Sequence, residues 1–251
     1  MSGLTGVVVD WEYLGKDNRQ AGADTQINLN TPEDLQEIHK NTTAYILCRI
    51  NQVGAGTKSE IEQAITHGAD EIILPMVRHT DQVQAAIEIA AGRIGVGIIL
   101  ETMAATLVLK ELANLPISRV YIGLNDLAIE RRTENIFSAV SDGLVEEIRE
   151  HFRHIPFGFA GLTLPEAGYP IPCRLLIAEM TRLDSDFSFL RRSFHRDIAG
   201  RDVCLQVPLI LEALNAARTR TSAQVEIDRI DLYEAIKSWH NPFVIHKAGD
   251  A

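Results

Sequence analysis

Long apolar runs are missing from this 251-residue chain. None approaches the roughly 18 residues that a membrane-spanning helix needs, and the N-terminus has no basic segment followed by an apolar run and a cleavage site. A soluble, cytoplasmic protein is expected. Cysteine is scarce too: Cys48, Cys173 and Cys204 are odd in number and far apart, which fits a reduced compartment and argues against a disulfide framework or a zinc site. The eight histidines have no ligand spacing. Positive charge is in deficit, with 24 Lys and Arg against 34 Asp and Glu, a net charge of −10 and a pI of about 5.3. Such a surface does not suit the phosphates of a nucleic acid; neither nucleic acid nor membrane is expected as a partner. Low-complexity tracts and Gly-, Pro- or Ser-rich linkers are absent as well. The chain therefore reads as a single domain over 1–251, with 200–251 a C-terminal helical extension.

What is present is alternation. Apolar runs recur at Gly6–Asp10, Ala44–Asn51, Glu71–Val77, Ile94–Glu101, Arg119–Asp126, Pro156–Thr163 and Asp186–Phe194, with helical periodicity between them. This is the βαβα pattern of a parallel α/β fold. Helix entry signals precede acidic first turns at Thr31, Thr57 and Thr80, and Gly68 and Gly92 read as helix ends. Seven strands fall one short of a complete barrel. The expectation is an α/β TIM (β/α)8-type barrel that lacks or alters its first βα unit, with Pro165–Pro172 as a long loop over its mouth.

Strands covered on both faces tolerate a carboxylate only where they emerge. Two of the runs end that way, at Glu101 and at Asp126, 25 residues apart with a helix-like stretch between. They form a candidate pair for a hard cation, Mg²⁺ or Mn²⁺. Asp10 and Glu12, two apart on another strand end, point the same way and are candidates for orienting water or a general base.

The segments Val9-Asp10-Trp-Glu12-Tyr-Leu-Gly-Lys16, Cys48-Arg49-Ile-Asn51, Gly68-Ala-Asp-Glu-Ile-Ile-Leu-Pro75, Leu100-Glu101-Thr and Ile122-Gly-Leu-Asn-Asp126-Leu resemble, in order and spacing, the HpcH/HpaI aldolase and citrate lyase β-subunit family. The resemblance spans roughly residues 6–200 and is closest to a branch carrying a run like Asp10–Gln20. It implies a phosphoenolpyruvate/pyruvate-type barrel and a metal-dependent carbon–carbon lyase acting through the enolate of pyruvate or a related 2-oxo acid. It also implies that Glu101 and Asp126 bind the metal, that Arg49 holds the substrate carboxylate and enolate oxygen, and that the protein is a homo-oligomer. Asn125, beside Asp126, is a further candidate substrate contact.

The chain departs from the family at Tyr13, where the aldolase branch has a catalytic His, and at Ile99, where it has a polar Gln. The Arg-Ser-rich first strand that helps bind CoA in the citrate lyase branch is also absent. An acyl-CoA thioester hydrolase at the same site and a non-catalytic relative that keeps the pocket are the alternatives. Plainer readings exist for single residues: a strand-end carboxylate can cap a helix, Arg49 can serve as a structural ion-pair partner, and Lys16 and Arg19 read as solvated loop charges. Arg191 and Arg192 close the last strand, where barrels often bind anions, with substrate contact and salt bridging as their two readings.

Overall fold

A computed structural model describes residues 3–15 and 30–239. Its elements, in chain order, are β1 (Gly6–Asp10), α1 (Pro32–Asn41), β2 (Tyr45–Arg49), α2 (Thr57–His67), β3 (Glu71–Leu74), α3 (Thr80–Ala90), β4 (Gly95–Leu100), α4 (Met103–Thr106), α5 (Leu109–Ala113) and β5 (Val120–Ile122). They continue with α6 (Leu124–Arg131), α7 (Ser138–Ser141), α8 (Leu144–His151), β6 (Phe157–Leu162), α9 (Cys173–Arg182), β7 (Phe187–Leu190), α10 (Ser193–Asp197), α11 (Val203–Arg218) and α12 (Ser222–Ser238). All seven strands are parallel and lie in sequence order in one sheet. This is the TIM-like arrangement short of one unit, with β1 and β7 as the sheet edges among the described residues. Lys16 and Arg19 lie outside the described residues. No helix of the described residues is long and apolar enough to cross a membrane.

Period-two alternation assigns the strand residues to two cores. Val9, Ile46, Cys48, Ile72, Leu74, Val96, Ile98, Leu100, Val120 and Ile122 point outward and pack under the helices with Leu35, Ile61 and Val83. Leu47, Ile73 and Ile99 form a second buried group on the inward face, packed with Tyr121 and Phe189. Ile99, which departs from the aldolase branch, is therefore part of the inner packing. The helix signals hold in part. Thr31 caps α1 in a reciprocal box with Asp34, and Gly68 ends α2 in the left-handed region at φ 94°. Thr57 instead lies inside α2, where its hydroxyl accepts from the Gly54 amide, and Ala91 rather than Gly92 is the C-cap of α3.

Strand ends are shorter than the apolar runs suggested. The difference that matters for the site is at β5, which stops at Ile122, so that Asp126 belongs to the first turn of α6. An apolar run contains both the strand and the buried start of the next helix, and hydrophobicity alone does not mark the junction.

At the amino end of the strands the inward face is closed by charge. Glu71, wholly buried, accepts from Tyr45 Oη at 2.8 Å, Ser118 Oγ at 2.6 Å and Arg119 Nε at 2.7 Å. The Arg119 guanidinium also stacks over the Tyr45 and Phe187 rings. Burial, reinforced by Glu71, pushes the Tyr45 phenol up to about 12. Removing one member strands a buried charge, so Glu71→Ala is expected to lower unfolding free energy by about 3–5 kcal/mol in urea denaturation; a loss below about 1 kcal/mol would show that the cluster contributes little.

Candidate active site

The inward face that carries Leu47 and Ile99 also carries, two residues further on, Arg49 and Glu101; Asp10 shares it through its register with Arg49. The same alternation that builds the inner core thus delivers three charged side chains to the carboxyl end of the sheet, where active sites of such folds lie.

Arg49 meets Asp10 fork to fork, Nε to Oδ1 at 2.8 Å and Nη2 to Oδ2 at 2.6 Å, and its Nη1 stands 3.2 Å from Glu12 Oε2. Both acids are nearly buried, while the arginine side chain remains 24% exposed. Burial works against the Arg49 charge, yet the Asp10 hydrogen bonds and the negative charges of Asp10, Glu12 and Glu101 raise its pKa above the ordinary arginine range. Asp10 and Glu12, expected to orient water or a base, are thus placed to hold the guanidinium. The loop after β1 is fastened by Asn51, whose Oδ1 accepts from the Tyr13 and Leu14 amides at 3.0 and 2.9 Å while its Nδ2 donates to Glu60 at 2.7 Å. Tyr13 itself is exposed.

Glu101 is fixed from the neighbouring strand end. Its Oε1 accepts from the Met76 amide at 2.8 Å, an alignment reached with Met76 at φ 53°, in the left-handed region that a methionine rarely adopts. Thr102 adds a second tie, Oγ1 to Val77 carbonyl at 2.6 Å. Gly123 makes room on the other side: a Cβ there would come 2.3 Å from Glu101 Oε2. Asp126 is 7% exposed and sits near the positive end of the α6 backbone dipole. Asn125 is exposed beside it. Burial first, then the negative charges of Asp126 and Glu12, push the Glu101 carboxyl up to about 8, against the pull of Arg49 and the Met76 amide.

The residues that sequence reasoning missed are the holders: Asn51, Glu60, the Met76 amide and Gly123. Asn51 and Gly123 stood inside the quoted motifs, but their partners in space, Glu60 and the Tyr13 and Leu14 amides for one and Glu101 for the other, are not marked by sequence order. Met76 acts through its backbone, so its side-chain identity carries no trace of the role.

A buried carboxylate repelled by a second one, as Glu101 is by Asp126, offers oxygen donors of the kind that suit a hard divalent cation. Among the described residues no group of three or more His, Cys, Asp and Glu side chains is arranged to hold a metal ion.

No protein-family model matches the chain, and no curated protein matches it. Solved structures do. The fold is shared with citrate synthase SbnG at 17% identity, covering 79% of this chain and 82% of that one with a TM-score of 0.57. It is shared with an HpcH/HpaI aldolase from Desulfitobacterium hafniense at 14% identity, covering 88% and 86%, TM-score 0.55. It is also shared with a citrate lyase β subunit from M. tuberculosis, complexed with oxaloacetate and magnesium, at 15% identity, covering 84% and 96%, TM-score 0.54. These are likenesses of fold, and they fall in the group that the five sequence motifs resemble.

Two outcomes test the geometry. A carboxyl with its folded value raised from 4.5 to about 8 binds more protons in the native state across that window. Its stabilising effect is full below the lower value and is lost as pH rises through the upper one. Metal-free protein is expected to lose stability over that range and Glu101→Gln to abolish most of the loss, by a few kcal/mol at pH 8 in urea titrations; parallel pH profiles would refute the raised value. Gly123→Ala is expected to push Glu101 aside and weaken Mn²⁺ binding by about tenfold or more in calorimetry; unchanged affinity would remove Glu101 from the donor set.

Proposed function

We propose that the protein is a divalent-metal-dependent carbon–carbon lyase, aldolase- or citrate lyase-like, acting through the enolate of pyruvate or a related 2-oxo acid. The observation that carries this reading is the braced Arg49 guanidinium facing a buried carboxylate, Glu101, that is held by the Met76 amide and repelled by Asp126. Glu101 and Asp126 would hold Mg²⁺ or Mn²⁺, leaving the other coordination positions for substrate oxygens and water. When bound, the cation supplies Lewis-acid polarisation of the 2-oxo carbonyl.

The rest is the work of the chain's own residues. A guanidinium has five N–H donors; Asp10 takes two and Glu12 lies against a third nitrogen, so Arg49 retains donors for the substrate carboxylate or the enolate oxygen. Because Asp10 and Glu12 fix its plane before substrate arrives, no reorganisation is needed as negative charge develops on that oxygen. Asp10 is in this reading a positioning residue, since both its oxygens are engaged by Arg49. The buried floor of Leu47, Ile73, Ile99, Tyr121 and Phe189 keeps water from beneath the site and strengthens each of these interactions. The fold likeness to a β subunit complexed with oxaloacetate and magnesium supports the same ligand chemistry.

The reading is tested by incubating metal-stripped protein with pyruvate in D₂O and following the methyl signal by NMR with and without Mg²⁺ or Mn²⁺. Metal-dependent exchange is expected, lost in Glu101→Ala and reduced by about 10²–10³-fold in Arg49→Ala. No exchange while metal and pyruvate still bind would overturn the enolate chemistry and leave an acyl-CoA thioester hydrolase or a non-catalytic binder.

A further inference from the structure

Glu101 and Asp126 repel each other, and they belong to different elements: Glu101 follows β4, whereas Asp126 lies in the first turn of α6. Glu101 is held by the Met76 amide. Asp126 goes wherever α6 goes, and β5, which leads into that helix, is only three residues long. Glu130, four residues beyond Asp126, falls on the same face of α6 one turn later. Arg78 donates to its carboxylate through both terminal nitrogens, Nη2 to Oε1 at 2.5 Å and Nη1 to Oε2 at 3.5 Å. The Arg78 hydrogen bonds first, then its charge and a hydrogen bond from the Met103 amide, hold Glu130 below the ordinary carboxylate range.

Both partners of Glu130 stand next to the supports of Glu101. Arg78 is two residues beyond Met76 and directly follows Val77, whose carbonyl accepts from Thr102. Its own amide and that of His79 donate to Gln82 Oε1 at 2.8 and 3.1 Å, which fastens this corner to the start of α3. Met103 is two residues beyond Glu101 and opens α4. Glu130 therefore joins α6 to the two segments that bear on Glu101. The ion pair is partly exposed, with side chains 41% and 24% accessible, and a pair of that kind adds little to overall stability. Its effect is local, because it spans the elements that carry the two carboxylates.

We propose that Arg78 and Glu130 form a positioning clamp that holds α6, and with it Asp126, close to Glu101 against the repulsion between the two carboxylates. The clamp rests on the reading of Glu101 and Asp126 as donors to a divalent cation. Neither Arg78 nor Glu130 touches the cation; both act through α6 and the corner after β3. Two like charges are brought together by folding, before the cation arrives, so that the cation meets a site already formed.

The test is Mn²⁺ calorimetry on metal-stripped wild type, Arg78→Gln, Glu130→Gln and the double variant, with circular dichroism as a check of fold. Arg93→Gln, which breaks the exposed pair with Glu62, and Glu101→Gln serve as controls. Charge alone makes a distinct forecast: loss of Arg78 would tighten cation binding, loss of Glu130 would loosen it, and the double variant, with net charge unchanged, would return to wild type. The clamp predicts weakening of about tenfold in both single variants. The double variant should be no worse than either, since all three break one interaction. Tighter binding by Arg78→Gln, wild-type affinity in the double variant, or an equal loss in Arg93→Gln would overturn the clamp. Affinity lost in Glu101→Gln but intact in the Arg78 and Glu130 variants would remove the clamp alone. Absence of Mn²⁺ binding to wild type, or equal binding by Glu101→Gln, would remove the cation site and the clamp with it.

Discussion

The gathering of four acidic side chains at one edge is the condition on which the carboxyl end of this sheet depends. Asp10, Glu12, Glu101 and Asp126 are all nearly buried there, and the Arg49 guanidinium lies against two of them. It meets Asp10 and Glu12 directly and reaches Glu101 only as a distant charge. Burial, with the charges of Asp126 and Glu12, raises the Glu101 carboxyl to about 8. A proton or a cation relieves that cost, and near neutral pH the two compete for the same oxygen.

At the opposite end of the strands the arithmetic is different. Glu71 is as buried as Glu101, but it receives three donors from Tyr45, Ser118 and Arg119, and Arg119 stacks over two aromatic rings. One carboxylate is saturated and the other is not. Satisfied buried charge closes one end of the inner face, while unsatisfied charge opens the other to chemistry.

Much of this was legible in the sequence. Alternating apolar runs gave all seven strands in their places, because a strand buried on both faces must be written almost entirely in apolar residues. Glu101 stood out as a charge at the end of such a run. Asp126 was found by the same signal, although it proved to be in the first turn of a helix; the burial that makes the residue conspicuous is common to both settings. What could not be read was the partnership of Asp10 and Glu12 with Arg49, since residues 10 and 49 become neighbours only through strand register. The support of Glu101 by a backbone amide in an unusual conformation was hidden for another reason: main-chain donors have no letter in the sequence.

The ties around Asp10, Arg49 and Glu101 share one further property, which is that each joins strands adjacent in the chain. Arg49 grips Asp10 across β1 and β2, Asn51 fastens the loop after β1 from the end of β2, and Met76 and Val77 hold Glu101 and Thr102 across β3 and β4. None of these restraints passes across the interval between β7 and β1. An arc of consecutive units is enough to supply these restraints, with no need for the strands to close into a circle.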